Sequence, residues 1–292
     1  MPTSLPYFAL LFNAMVWGLA WWPFQTMYGQ GLVAPWATCM IYTLLTLLTA
    51  LTVRGCWRAF CTHRVLWLLA LTAGLTNVSY NTAASTGDVV RVILLFYLMP
   101  AWTVLLAWRF LGERPTVAGL MRLVLAFSGM ALVIVPRGAS IDSLTAGIGL
   151  PEYLAVFGGL GFACTNVILR RSLHTPGMSR VLAMFIGCMC VGFVTAVAGY
   201  SSGYFPAIPA PNGVWVACAL GMAVLVGCGS WALQYGASRV PTSTTSLIML
   251  SEVLFASGSA WLLGATEVTP RMLAGGVLII TSALLAVLPH KR

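Results

Sequence analysis

Residues 181–200 read VLAMFIGCMCVGFVTAVAGY, without one charged side chain. At 1.5 Å of rise per residue a helix of this length spans about 30 Å, the thickness of a bilayer's hydrocarbon core. The same reading recurs on both sides. Upstream lie 7–28, 34–53, 65–84, 89–109, 118–135 and 150–169; downstream lie 213–236, 243–263 and 271–288. Short separators punctuated by Gly, Pro or charge join these ten runs. The composition agrees, with 60% hydrophobic and 7% charged residues among 292. A water-soluble domain carries about 25% charged residues. In lipid each spanning segment must satisfy its own backbone, so long apolar runs predict an all-α membrane protein with ten transmembrane helices.

The net charge of +9 points to topology and not to nucleic acid, because the basic residues lie in the separators. With the N-terminus inside, the cytoplasmic segments hold Arg54, Arg58, Arg64, Arg109, Arg114, Arg122, Arg170, Arg171, Arg180, Arg239, Lys291 and Arg292. The outer segments hold only Arg91, Arg137 and Arg271. Positive charge collects on the cytoplasmic side, so both termini are expected there. Trp36, Trp215 and Trp261 fall near the outer interface, and Trp57, Trp67 and Trp108 near the inner one. The stretch Met1–Pro6 lacks a basic region and a cleavage site, so the first run reads as a retained helix. Most cysteines lie inside apolar runs and behave as small hydrophobes. Cys56, Cys61 and His63 lack a second pair of metal ligands. No metal and no cofactor are expected.

The two halves echo each other. Shifted by 152 residues, PAWTVLLAWRFLG at 100–112 falls on EVLFASGSAWLLG at 252–264. Shifted by 141, Trp17-Gly18-Leu19 falls on Gly158-Gly159-Leu160. Runs one to five thus map on runs six to ten. Five is odd, so the halves 1–140 and 141–292 enter the membrane in opposite directions, an inverted repeat of the kind transporters use.

Four stretches carry a family likeness. They are Trp17-Gly18, the run from Tyr97 through Pro100 to Leu111-Gly112-Glu113, Ser251-Glu252-Val253-Leu254-Phe255, and Gly275-Gly276. Together they resemble the drug/metabolite transporter superfamily, EamA type, over essentially the whole chain. The resemblance implies two inverted five-helix repeats around a central cavity, in a bacterial inner membrane. It also implies export of amino acids, metabolites or drugs, with membrane lipid as surroundings and a monomer as a compatible state. Tyr97-Leu98-Met99-Pro100 is similar to bacterial aromatic amino-acid exporters. The second half departs from the pattern, with Leu263-Gly264-Ala265 where the first has Leu111-Gly112-Glu113.

Glu252 is the sharpest candidate for a functional group. It falls near the middle of the ninth run, where an ionised side chain costs at least ~2.5 kcal/mol on insertion scales. Two readings stand: a partner for a substrate ammonium or a proton, and a carboxyl bonded to neighbouring Ser and Thr that holds helices together. Asn77, Tyr80 and Asn81 share one face of the third run with Ala84. That stripe faces either a cavity or a neighbouring helix. In the eighth run Ser230 pairs with Gln234, and Trp231 with Tyr235. Trp17, Tyr97 and Trp102 supply aromatic walls or packing. Pro100 kinks the fourth run, as a gate or a plain bend. Asp88 and Arg91 mark the outer mouth, Glu152 caps the sixth run after Pro151, and Glu113 pairs with Arg109 or opens the fifth.

These residues predict a secondary transporter of small amphipathic solutes working by alternating access, with drugs or organic cations as the alternative cargo. An intramembrane enzyme needs catalytic groups at membrane depth, but His63, His174 and His290 all lie in loops or the tail. A channel needs a ring of like charge or a repeated filter loop, and neither is present. Phosphorylated cargo needs fixed Lys or Arg at depth, which the runs lack.

Overall fold

The computed structural model describes residues 4–86, 92, 95–134, 149–263 and 269–287. Asp88, Arg91, Arg137 and Gly264-Ala265 lie outside the described residues. Among the described residues the regular elements are α-helices. The first half supplies α1 (Leu5–Gly29), α2 (Ala34–Thr52), α3 (Cys56–Thr62), α4 (Arg64–Thr86), α5 (Met99–Leu111) and α6 (Val117–Ile134). The second supplies α7 (Leu150–Arg171), α8 (Gly177–Ser201), α9 (Gly213–Ala237), α10 (Thr242–Met249), α11 (Glu252–Leu262) and α12 (Pro270–Val287).

Five helices, α1, α2, α7, α8 and α9, are long and apolar enough to cross a membrane. A sixth span is α4 if it is taken with α3, which meets it at 99°. The sequence reading left 54–64 as a loop. About two turns of helix form there because Gly55, with φ +81°, reverses the chain after α2. Trp57 of α3 and Trp67 of α4 remain exposed near this corner, as interfacial anchors do. Trp215, by contrast, is buried, with its indole N–H donating to the Ala210 carbonyl at 3.1 Å.

Local signals set the helix ends. Asn212 caps α9 by accepting from the backbone N–H groups of Val214 and Trp215. Glu152 reaches back to accept from the Gly149 N–H at 2.9 Å, closing the first turn of α7. Gly112 stops α5 in the left-handed region, φ +73°, so the Leu111-Gly112-Glu113 motif is a helix stop.

Large apolar side chains such as Leu47, Leu48, Val224 and Leu284 stand exposed on the bundle's outer faces. Such faces suit lipid and would be costly in water. Inside, helices approach through small residues. The crossing of α6 and α12 is reciprocal: a methyl added to Gly129 would stand 2.6 Å from the Gly275 carbonyl oxygen, and one added to Gly275 would run into the Gly129 carbonyl. Elsewhere α1 packs on α9 and α11, α7 on α4 and α5, and α8 on α2 and α4.

Candidate functional site

Two of the predicted continuous helices are broken. The ninth run divides into α10 and α11 at a turn over Leu250–Ser251, where one span of 243–263 was expected. In the fourth run a turn at Tyr97–Leu98 precedes α5, which opens with Pro100 in its first turn. At both places the backbone tightens to bonds between residues three apart. The N–H groups of Leu98 and Ala101 donate to Leu95 and Leu98, and those of Ser251 and Val253 to Ile248 and Leu250. The proline explains one break, since it has no N–H to donate. The other places Glu252 in the first turn of α11, where the helix end is positive and favours a carboxylate.

Each break rests against a glycine. Gly18 of α1 meets the Glu252 carbonyl, and Gly159 of α7 meets the Phe96 carbonyl. The repeated Trp17-Gly18 and Gly158-Gly159 stretches therefore have a shared physical reason: any side chain there would collide with main chain.

Between the breaks lies a cavity of about 60 Å³. Trp17, Asn77, Tyr80 and Glu252 line it, as the sequence reading proposed for substrate contacts. Tyr80 stacks toward Phe96, ring centroids 4.4 Å apart, and Phe96 meets Phe162 at 6.3 Å. The Tyr42 hydroxyl donates to Asn77 Oδ1 at 3.0 Å, and Asn77 Nδ2 donates to the Ala73 carbonyl at 3.1 Å. An amide has a further N–H and a further lone pair, so Asn77 keeps one of each for a ligand. Among the described residues Glu252 is the one charged group in the lining, and its carboxyl is hydrogen-bonded by the Tyr97 side chain.

The remaining sequence candidates sit elsewhere. Tyr97 is buried behind the cavity as the partner of Glu252. Asn81 turns to α2, donating to Thr38 Oγ1 at 3.0 Å. The polar stripe on α4 is thus Thr76, Asn77 and Tyr80, one turn earlier than the spacing proposed. Trp102 is partly buried away from the lining, its indole nitrogen enclosed without a partner. Gln234 is buried against Gly177. Trp231 is 54% exposed on the outer side of α9, stacked on Tyr235. A helix turns about 100° per residue, so its neighbour Ser230 faces the cavity while Trp231 faces out. Sequence reasoning missed Tyr42, Phe96, Phe162 and Thr165. Each lies in an apolar run with no polar periodicity of its own.

Comparison with known proteins now bears on this cavity. Residues 4–135 match the model of the EamA-like transporter family. Over those residues the chain is similar to the EamA-like transporter family. A protein of Streptantibioticus cattleyicolor named "Probable terminal-alkyne amino-acid exporter" is 29% identical over 238 residues, covering 76% of this chain and 73% of its own. An "Uncharacterized transporter" of Archaeoglobus fulgidus is 25% identical over 226 residues, covering 76% of each chain. A crystal structure superposes on 96% of this chain and 96% of its own with a TM-score of 0.77 at 15% identity, which speaks for the fold alone. The likeness is thus to transporters, and both relatives carry an exporter or transporter name.

Proposed function

We propose that the protein exports small amphipathic metabolites, amino acids above all, across a bacterial inner membrane by alternating access. The observation that carries this reading is Glu252, the single carboxylate among the described residues of the lining, in a cavity otherwise walled by aromatic, apolar and neutral polar groups. Such a site binds an ammonium through the carboxylate and an apolar side chain through Trp17, Tyr80 and Phe96. The relative named as an amino-acid exporter supports that choice of cargo. An organic cation would use the same groups, and this second cargo is favoured by the lack of Lys or Arg among the described residues of the lining.

Ten spans in two inverted halves, 1–140 and 141–292, supply the mechanism. Packing supports the pairing: α1 meets α9 and α11 much as α7 meets α4 and α5, while α2–α8 and α6–α12 cross between equivalent helices. Broken helices at equivalent places flank the cavity, as in transporters whose halves rock about a central site. Both termini are placed in the cytoplasm by the arginine bias.

The test is flux in proteoliposomes with a panel of radiolabelled amino acids and amines, with and without a pH gradient. Glu252→Gln keeps shape and removes the charge. The expected result is loss of saturable ammonium-dependent transport with normal insertion. Wild-type flux in the Gln variant would leave Glu252 a structural group.

A further inference from the structure

Arg180 reads from the sequence as one more cytoplasmic loop arginine. In the structure it stands in the first turn of α8 and is only 6% exposed. Its Nη1 donates to the Ser172 carbonyl at 3.0 Å, while Nε is enclosed without a partner. Among the described residues the charge that reaches it is another guanidinium, Arg239. Arg239 is itself held over the Tyr235 ring at 3.9 Å and by the Tyr235 carbonyl. A buried cation beside a like charge is costly unless an anion joins it.

Other polar side chains inside the bundle are enclosed in the same way. Both amide atoms of Asn166, and the hydroxyls of Ser179, Thr242 and Thr245, are enclosed without partners. They belong to the ends of α7, α8 and α10. Nearby, Arg170 Nη1 bonds the Ser238 carbonyl at 2.9 Å and Gln234 lies against Gly177. Arg180, Met184 and Cys188 follow one another at four-residue spacing, so they share a face of α8. Met184 and Cys188 line the cavity. Arg180 continues that stripe one turn toward the cytoplasmic end.

We infer that Arg180, with Arg239 beside it, forms a carboxylate-binding site at the cytoplasmic end of the cavity. The acid group of the exported solute docks there before its ammonium reaches Glu252. The identity of the solute and the side of the membrane rest on the export reading above; the anion site itself does not.

Two experiments on the full chain separate these claims. In the first, thermal stabilisation by benzoate is measured in nanodiscs of phosphatidylcholine alone and with phosphatidylglycerol added. Benzoate is expected to stabilise the wild type in both, and Arg180→Gln to weaken that binding about tenfold, since charge-assisted hydrogen bonds are the strong ones. Stabilisation that depends on Arg180 but comes only from phosphatidylglycerol would assign the site to a lipid headgroup and overturn the inference. So would benzoate binding unaffected by the substitution. In the second, proteoliposome flux is compared for phenylalanine and phenethylamine. Arg180→Gln is expected to raise the half-saturating concentration for phenylalanine about tenfold and leave phenethylamine unchanged. An equal loss for both would mark Arg180 as structural. If Arg180→Gln does not fold, Arg180→Lys and Arg239→Gln, which leave the Ser172 bond a donor, answer the same question. If the wild type moves neither solute yet binds benzoate through Arg180, the export reading fails and the anion site stands.

Discussion

Gly18 lies against Glu252: a methyl added at Gly18 would stand 2.7 Å from the Glu252 carbonyl oxygen and 2.6 Å from Phe255 Cβ. The residue proposed to carry the chemistry is thus held in place by one that has no side chain.

Gly18→Ala and Gly159→Ala are each expected to destabilise the protein by about 1–3 kcal/mol, the usual range for overpacking a filled site. Gly258→Ala, at a helical position with nothing within 4 Å, is expected to be neutral or slightly stabilising. Thermal unfolding in detergent decides between them. Equal midpoints for all three variants would show that the α1–α11 and α7–α5 approaches are loose.

Tyr97→Phe removes the hydroxyl that bonds the Glu252 carboxyl and changes little else. A hydrogen bond to a charged group is worth about 1.5–3 kcal/mol, so binding of an ammonium-bearing solute is expected to weaken about tenfold or more. Affinity measured by flux saturation checks it. An unchanged constant would mean that the carboxylate keeps its position without the tyrosine.

Asn77 and Asn81 are expected to separate. Asn77→Ala opens a cavity-facing position and leaves the buried Tyr42 hydroxyl unpaired, so half-saturation should rise along with a stability loss of about 1–3 kcal/mol. Asn81→Ala breaks the bond to Thr38 between α4 and α2, lowering stability by about 1 kcal/mol but, unlike Asn77→Ala, sparing the transport constant. Flux and unfolding curves for both variants test this. The reverse pattern would move the binding surface toward α2.

Orientation is checked by single cysteines in a background without the native thiols. A cysteine at 174 is expected to react only with reagent inside the cell, and one at 204 only with reagent outside. Labelling of position 174 in intact cells would invert the topology.

Much of the helical layout was legible because lipid imposes one rule on every segment. Ten apolar stretches were read, and helices stand in each. Helix breaks were harder to see. Pro100 signalled one, but Leu250–Ser251 carries no Pro or Gly and reads as ordinary helix. Glu252, Trp17, Asn77 and Tyr80 could be read toward the cavity they line because a polar or glycine-adjacent aromatic group at depth is rare and has to face something. Trp231 was misplaced because a lone aromatic carries no directional information; its neighbour Ser230 did. Tyr42 and Phe162 escaped because only the meeting of separate helices gives them a shared surface. Arg180 escaped for another reason: a charge rule explained it before its burial was known.

The reciprocal crossing of Gly129 and Gly275 also constrains descent. When two side chains clash, a smaller partner can relieve the larger one, and sequences drift by such exchanges. Here each glycine abuts the other's main chain, and no substitution shortens a peptide bond. Neither position has a compensating mutation available in its partner. A lineage that replaces either residue has to spread the two helices apart, so the pair is inherited as a unit or lost with the crossing.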